Sequence, residues 1–342
     1  MTELLTPPEL SSLDSPRDLG AAATLESPDR DRTGNLSLGL DLSALGVAPY
    51  SWAASPEEPG GELDQRRVAE LVRLAQDATL DFVAFDEAFA LVPGVARTAA
   101  SRLDAARVAC RLASVTSGIG LVATLDTSYL DPVHVATALS TLNEKSGGRA
   151  AWQVGTAQAR LLGDTEQVWR RLGREVETVV PGARGTGRSG RPAVVVRAAS
   201  PASTAFAGAH ADVVRIEATD AEQARVLRDE VRTAAAEAGR DPGEVRVLVD
   251  AVVLVGPDAA SARARLDILG DLAQGEPPWR RTLSHLGNAE QLAELIHAWY
   301  ANRVADGFTL IPGSLPHDAR ALASEVVPLL RERELVRESY RD

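Results

Sequence analysis

Eight times along this chain a short β-prone run gives way to a longer stretch of helical period, and no other feature restricts the fold as much. The β-like runs are 36–42 (LSLGLDL), 80–86 (LDFVAFD), 118–124 (GIGLVAT), 149–156 (RAAWQVGT), 192–198 (PAVVVRA), 211–217 (ADVVRIE), 245–255 (VRVLVDAVVLV) and 306–312 (DGFTLIP). Helical stretches are predicted at 64–78, 101–116, 132–145, 164–179, 203–209, 219–239, 258–273, 289–304 and 316–333. Thr219-Asp220 and Pro316 stand where helices start, and Gly239 followed by Pro242 stands where one stops. Strands that alternate with helices pair in parallel, because a parallel neighbour needs a crossover. Eight of them favour a closed (β/α)8 TIM barrel over an open doubly wound sheet. The first strand-to-helix turns also lack the G-x-G-x-x-G run of a dinucleotide-binding fold.

Residues 1–35 stand apart, with four prolines, ten charges and no sustained period. They are expected to form a disordered tail, and 36–342 a single barrel domain. The chain carries 36 basic and 48 acidic residues, a net charge of -12, which argues against nucleic acid and anionic membrane surfaces as partners. One cysteine, Cys110, excludes a disulfide framework and a multi-cysteine metal site. No apolar run approaches the ~20 residues of a membrane span. Met1 to Pro8 carries no basic residue ahead of its short apolar stretch, so it does not read as a secretory signal and a cytoplasmic location is expected.

In a barrel of this kind, function collects at the C-terminal ends of the strands and in the loops that follow. The richest such region spans 118–156. It carries Thr127-Ser128-Tyr129 leading to Pro132 and His134, then Ser146-Gly147-Gly148-Arg149-Ala150-Ala151-Trp152. His210-Ala211-Asp212-Val213-Val214, Ala305-Asp306-Gly307-Phe308 and Val326-Val327-Pro328-Leu329-Leu330 follow in order. With these motifs the chain resembles the bacterial-luciferase-like flavin monooxygenases, in the branch of the nitrilotriacetate, pristinamycin-synthesis and dibenzothiophene-sulfone monooxygenases, over about residues 36–340. The resemblance implies reduced FMN and dioxygen acting on a small organic substrate. It also implies a separate NAD(P)H-dependent flavin reductase as transient partner, and a homodimer. A deazaflavin-dependent oxidoreductase of the same superfamily is one alternative. Another is a catalytically degenerate paralogue that binds flavin, a metabolite or a partner subunit.

Several residues have a structural reading beside the functional one. Ser146 to Arg149 reads as a tight helix-to-strand turn at the N-terminal face. Trp152 and Gln153 alternate along a strand, so one faces the barrel interior and the other the helices. The Gln153 amide suits a flavin's pyrimidine edge, and equally a neighbouring strand's side chain. The hydroxyls of Thr127, Ser128 and Tyr129 would bind polar cofactor atoms if aimed into a pocket. Asp131 reads as the N-cap of the helix that Pro132 opens. Related enzymes tend to carry histidine there, facing the reaction centre, which also makes Asp131 a catalytic candidate. His134 matches a family position and equally a helix-packing histidine. Ala199, Ser200 and Ser203 match the cofactor-phosphate loop, with plain helix capping as the competing reading.

Weaker candidates are Asp86 and Glu87 after the second strand, Tyr50 and Trp52 after the first, and Arg184, Arg188 and Arg191 in a glycine-rich segment. His285 and His297 lack ligand partners nearby, so no metal site is expected. The chain departs from the family at Ala151, Gln153, Ala199 and Asp131, and Leu42-Ser43-Ala44 lacks the histidine often found after strand one. It is also trimmed between strands four and five and after the seventh helix. Such insertions shield a flavin from water, so their loss bears on turnover.

Overall fold

The computed structural model describes residues 36–43, 65–85, 104–156, 159, 163–183, 190–272 and 281–340. The expected tail lies outside them, as do Tyr50, Trp52, Asp86, Glu87, Arg184 and Arg188. The strands are β1 (Ser37–Asp41), β2 (Phe82–Phe85), β3 (Gly120–Leu125), β4 (Ala150–Val154), β5 (Ala193–Ala198), β6 (Val213–Ile216), β7 (Arg246–Val255), β8 (Leu283–Gly287) and β9 (Gly307–Pro312). The helices are α1 (Gln65–Asp77), α2 (Asp104–Ala113), α3 (Pro132–Ser146), α4 (Glu166–Gly182), α5 (Pro201–His210), α6 (Ala221–Glu237), α7 (Ala259–Leu272), α8 (Ala289–Ala301), α9 (His317–Ala321) and α10 (Val327–Glu332).

All described strand pairs are parallel. β1 to β7 pair in sequence order, and β9 closes the ring between β7 and β1. The result is the expected (β/α)8 barrel. β8 is a ninth strand that the sequence pattern did not give. β7 is ten residues long, and its lower half pairs with β6 while its upper half pairs with β8 from Ala251 to Val255. The barrel wall is thus split at its C-terminal end beside β7. There α7 packs Ala262, Leu266 and Leu269 on Val252 and Leu254 as a separate apolar cluster.

Alternation along the strands sorts the side chains into two sets. One set, including Leu38, Leu40, Leu121, Leu125, Val196 and Phe308, joins the helices in the main core. Each such side chain contributes roughly 1.5–3 kcal/mol when fully buried. The other set points inward, where Ala84, Val122, Ala151 and Val195 form a small apolar layer with Phe82, Ala193 and Val213 against it. Gly39 is required in this layer, since a Cβ there would lie 2.1 Å from the Phe82 ring.

The N-terminal face is held by polar anchors. At Gly147 the chain leaves α3 in the left-handed region (φ 68°), which favours glycine. Arg149 then donates to the carbonyls of Ala113, Thr116 and Ile119, closing the C-terminal end of α2. Asp306 accepts from Arg228, Arg232 and the Val247 amide, joining α6 to the starts of β7 and β9. The last helical stretch is interrupted by a π turn over Leu322–Val326, between α9 and α10. Pro328 follows within a turn, and its missing N–H and bulky ring oppose regular α-helical bonding there.

Candidate active site

Above the apolar layer, the inward side chains change from small and apolar to charged. Arg215 of β6 is fully buried, and its guanidinium binds both carboxylate oxygens of Asp250 on β7, at 2.7 and 2.9 Å. It also donates to Asp41 Oδ2 at the end of β1 (2.5 Å) and to Gln153 Oε1 on β4 (2.9 Å). The Gln153 amide nitrogen donates onward to Thr124 Oγ1 on β3 (2.8 Å). Arg197 of β5 donates to the same Asp41 oxygen at 3.0 Å. Among the described residues, six strands therefore contribute to one network across the barrel, which holds two arginines and two aspartates.

Burial alone would raise the Asp41 pKa, but the Arg215 and Arg197 guanidiniums and the Ser43 amide outweigh it and hold it at about 2. Burial would likewise favour deprotonated Arg215, and the carboxylates of Asp250 and Asp41 reverse that and keep it firmly cationic. Of the described charges in this network, Arg197 is the most exposed. The Arg197 side chain is 36% exposed, against 4% for Asp41 and 0% for Arg215. Thr309 of β9, in register with Asp250, is buried in the same layer, and its hydroxyl has no hydrogen-bond partner among the described residues.

The residues singled out from sequence fall into separate places. Gln153 lies inside the barrel, with both ends of its amide engaged as above. Trp152 alternates with it, is buried in the main core, and donates its indole N–H to Leu125 O (3.0 Å). Thr127 is buried and donates to Glu175 on α4, which Arg171 also binds. Ser128 is half-buried at the strand end, where its amide and hydroxyl both donate to Asp126. Tyr129 is half-buried beside it in sequence, its amide bonded to Asp126 O. Asp131 is exposed and caps α3, accepting from Val133 N at 2.8 Å, and His134 is exposed on the first turn of that helix.

At the start of α5, Ser200 and Ser203 form a capping box. The Ser203 hydroxyl accepts from the amides of Ala199 and Ser200, and that of Ser200 accepts from the Ser203 amide. These backbone donors are thus turned inward, and the Ser200 hydroxyl also bonds that of Ser203 at 3.0 Å. Arg191 pairs with Asp212 at the other face of the barrel. His285 is buried with its ring against Asn288 O, and burial lowers its pKa.

The donor set can be compared with what a reduced flavin needs. A planar ring with an electron-rich pyrimidine edge needs N–H donors or a cation at the open end of the barrel. Among the described residues, Arg197 is a partly exposed cation of that kind, bound to Asp41. A phosphate needs hydroxyls or amides, and at the start of α5 those of Ala199, Ser200 and Ser203 bond one another. The ring end fits well. The phosphate end fits less well, because its described donors are engaged in the capping box.

The family model for luciferase-like monooxygenases matches residues 49–161 and 160–324, which is most of the barrel. The chain belongs to the luciferase-like monooxygenase family. It is 22% identical to N-acetyl-S-(2-succino)cysteine monooxygenase of Bacillus subtilis (strain 168), over 89% of this chain and 94% of that protein. That alignment spans 414 positions against 342 residues here, so the relative carries insertions that this luciferase-like chain lacks. The chain is also 22% identical to nitrilotriacetate monooxygenase component A of Aminobacter aminovorans, over 89% of this chain and 94% of that one. Among solved structures, EDTA monooxygenase from Chelativorans sp. BNC1 superposes with a TM-score of 0.72 at 19% identity, covering 90% of this chain and 96% of that chain. No helix among the described residues is long and apolar enough to cross a membrane.

Proposed function

We propose that this barrel binds reduced FMN at the C-terminal ends of its strands and oxidises a small organic substrate with dioxygen. The carrying observation is the charged layer inside the barrel, where Arg197 is the most exposed of the described charges, in a member of the luciferase-like monooxygenase family. When bound, reduced FMN supplies the two electrons by which one oxygen atom of dioxygen enters the product and the other leaves as water. The chain's own residues bind and orient. Arg197 meets the pyrimidine edge of the ring, Ser128 and Tyr129 border it on the β3 side, and Ser200 meets the phosphate. Gln153 acts behind the ring by fixing Arg215 and Thr124.

Asp131 takes no part in the chemistry in this reading, because its carboxylate is committed to capping α3. Reduced FMN comes from a separate flavin reductase, as the name "component A" of the Aminobacter relative suggests for that enzyme. A cytoplasmic homodimer is the expected working form.

A second reading, a flavin-binding protein without turnover, draws on the same comparison, since the Bacillus relative carries positions that this chain lacks, and shorter loops would exclude water less well. Turnover separates the two. The protein is mixed with a flavin reductase, NADH, FMN, isotopically heavy dioxygen and pools of small thioethers, amines and carboxylates. The proposal expects a product carrying one heavy oxygen atom. Saturable binding of reduced FMN with no label in any pool would favour the second reading.

A further inference from the structure

We propose that Glu175 of α4 is a positioning residue for the cofactor site, acting through Thr127 on the segment that joins β3 to α3, an inference that rests on the flavin-binding reading above. Residues 126–131 make that joint. Asp126 and Thr127 in it are buried, and Ser128 and Tyr129, the pair placed beside the flavin ring, are half-buried. A short joint keeps its polar side chains in one geometry only when the elements around it hold the joint in place.

Among the described residues, the end of β4 and the helix α4 do so. Gly155, just past β4, comes so close that a Cβ there would lie 2.4 Å from Asp126 Cβ, and its amide donates to Leu125 O at 3.0 Å. The Asp126 carboxylate is turned along the segment, where it accepts from the Ser128 amide at 2.7 Å. From the helix layer, Glu175 Oε2 accepts from the Thr127 hydroxyl. Arg171, one turn earlier on α4, donates to the other oxygen of Glu175 at 2.9 Å. The Arg171 side chain is 55% exposed against 11% for Glu175, so it is the carboxylate that is carried into the interior. Packing alone does not call for a charge at that depth, since Val168, Leu172, Val176 and Val179 already bury the inner face of α4. Burying a carboxylate is costly unless its bonds repay it, and the inward bond of this one ends on the residue next to Ser128. Glu175 thus fixes the pitch of Ser128 and Tyr129 without touching the ligand.

The test is an anaerobic calorimetric titration of the intact protein with photoreduced FMN. It compares the wild type with Thr127→Val, Thr127→Ser, Glu175→Ala, Glu175→Gln and the double variant of Thr127→Val with Glu175→Ala. Thr127→Val and Glu175→Ala should each weaken binding about tenfold, or about 1.4 kcal/mol. Thr127→Ser keeps a hydroxyl and Glu175→Gln keeps an acceptor oxygen, so both should bind nearly as the wild type does. The double variant should bind no more weakly than either single one, because both changes remove the same bond. Thermal melting without ligand checks that each variant is folded. Thr127→Val keeps the shape of the side chain, and its contrast with Thr127→Ser decides the matter should Glu175→Ala fail to fold. A lowered melting temperature with unchanged affinity would mean that Glu175 only ties α4 to the barrel, and would overturn the inference. Additive losses in the double variant, or losses in the two conservative variants as large as in the others, would overturn it too. Failure of the wild type to bind at millimolar FMN overturns instead the flavin reading, and the inference falls with it.

Discussion

Arg215 shows how much a single buried cation commits the residues around it. Removing one partner of a buried ion pair typically costs about 3–5 kcal/mol, because the other charge stays buried and unpaired. Arg215→Met should therefore destabilise the barrel by about that amount in chemical denaturation, and Asp250→Asn combined with it should recover part of the loss. The same network gives a pH dependence. Asp41 is held at about 2, below the ordinary 3.8, so its pairing stabilises the fold fully above about pH 4. That contribution is lost as pH falls from about 4 towards 2, and Asp41→Asn should flatten the acid limb of the stability curve over that window. Thr309→Val makes the opposite point. It replaces a buried, unpartnered hydroxyl by a methyl of the same shape, so the melting temperature should hold or rise. None of Asp41, Arg197, Arg215 or Asp250 stood out as a site residue in the sequence. Asp41, Arg197 and Arg215 are each the lone charge of an apolar strand (SLGLD, AVVVRA, VVRI), and Asp250 is the one charge inside RVLVDAVVLV beyond its opening Arg246, which is the available signal. Only the register of the strands shows that the four meet.

At the scale of elements, the punctuation was readable and the interruptions were not. Asp131 before Pro132 is a local signal, and the structure has that cap. Asp131→Ala should cost about 1 kcal/mol of stability and leave affinity for FMN unchanged, as seen by parallel melting and titration. Ser146 to Arg149 likewise forms the turn that its glycines indicate, though its arginine does more than the turn requires. Arg149→Ala leaves carbonyls at the end of α2 without their donor, and a loss of about 1–3 kcal/mol is expected in denaturant unfolding. The strand β8 carries little sequence signal, because Leu283–Gly287 is five residues long and mixes two leucines with serine, histidine and glycine. The π turn escaped because helical period alone does not register one extra residue in a turn. The start of α5 was legible as a helix entry, but nothing in Ser200-Pro201-Ala202-Ser203 shows that the serines would bind their own backbone.

For the whole molecule, the alternation of strands and helices was enough to specify a closed parallel barrel, because parallel pairing and crossover helices leave few other arrangements. A rigid ring of strands carries two different ends. The N-terminal end is tied by Arg149 and Asp306 to the helices around it, and the C-terminal end collects the charged layer and the strand-end loops. This second end is the proposed site for reduced FMN. Hydrogen–deuterium exchange of the intact protein, compared with and without saturating photoreduced FMN under anaerobic conditions, tests it most directly. The account predicts slower exchange in the segments that follow β3 and β5, around 126–131 and 199–204, with no change at 147–149 or around Asp306. Protection confined to the N-terminal turns, or none at a concentration where binding is saturated, would contradict it.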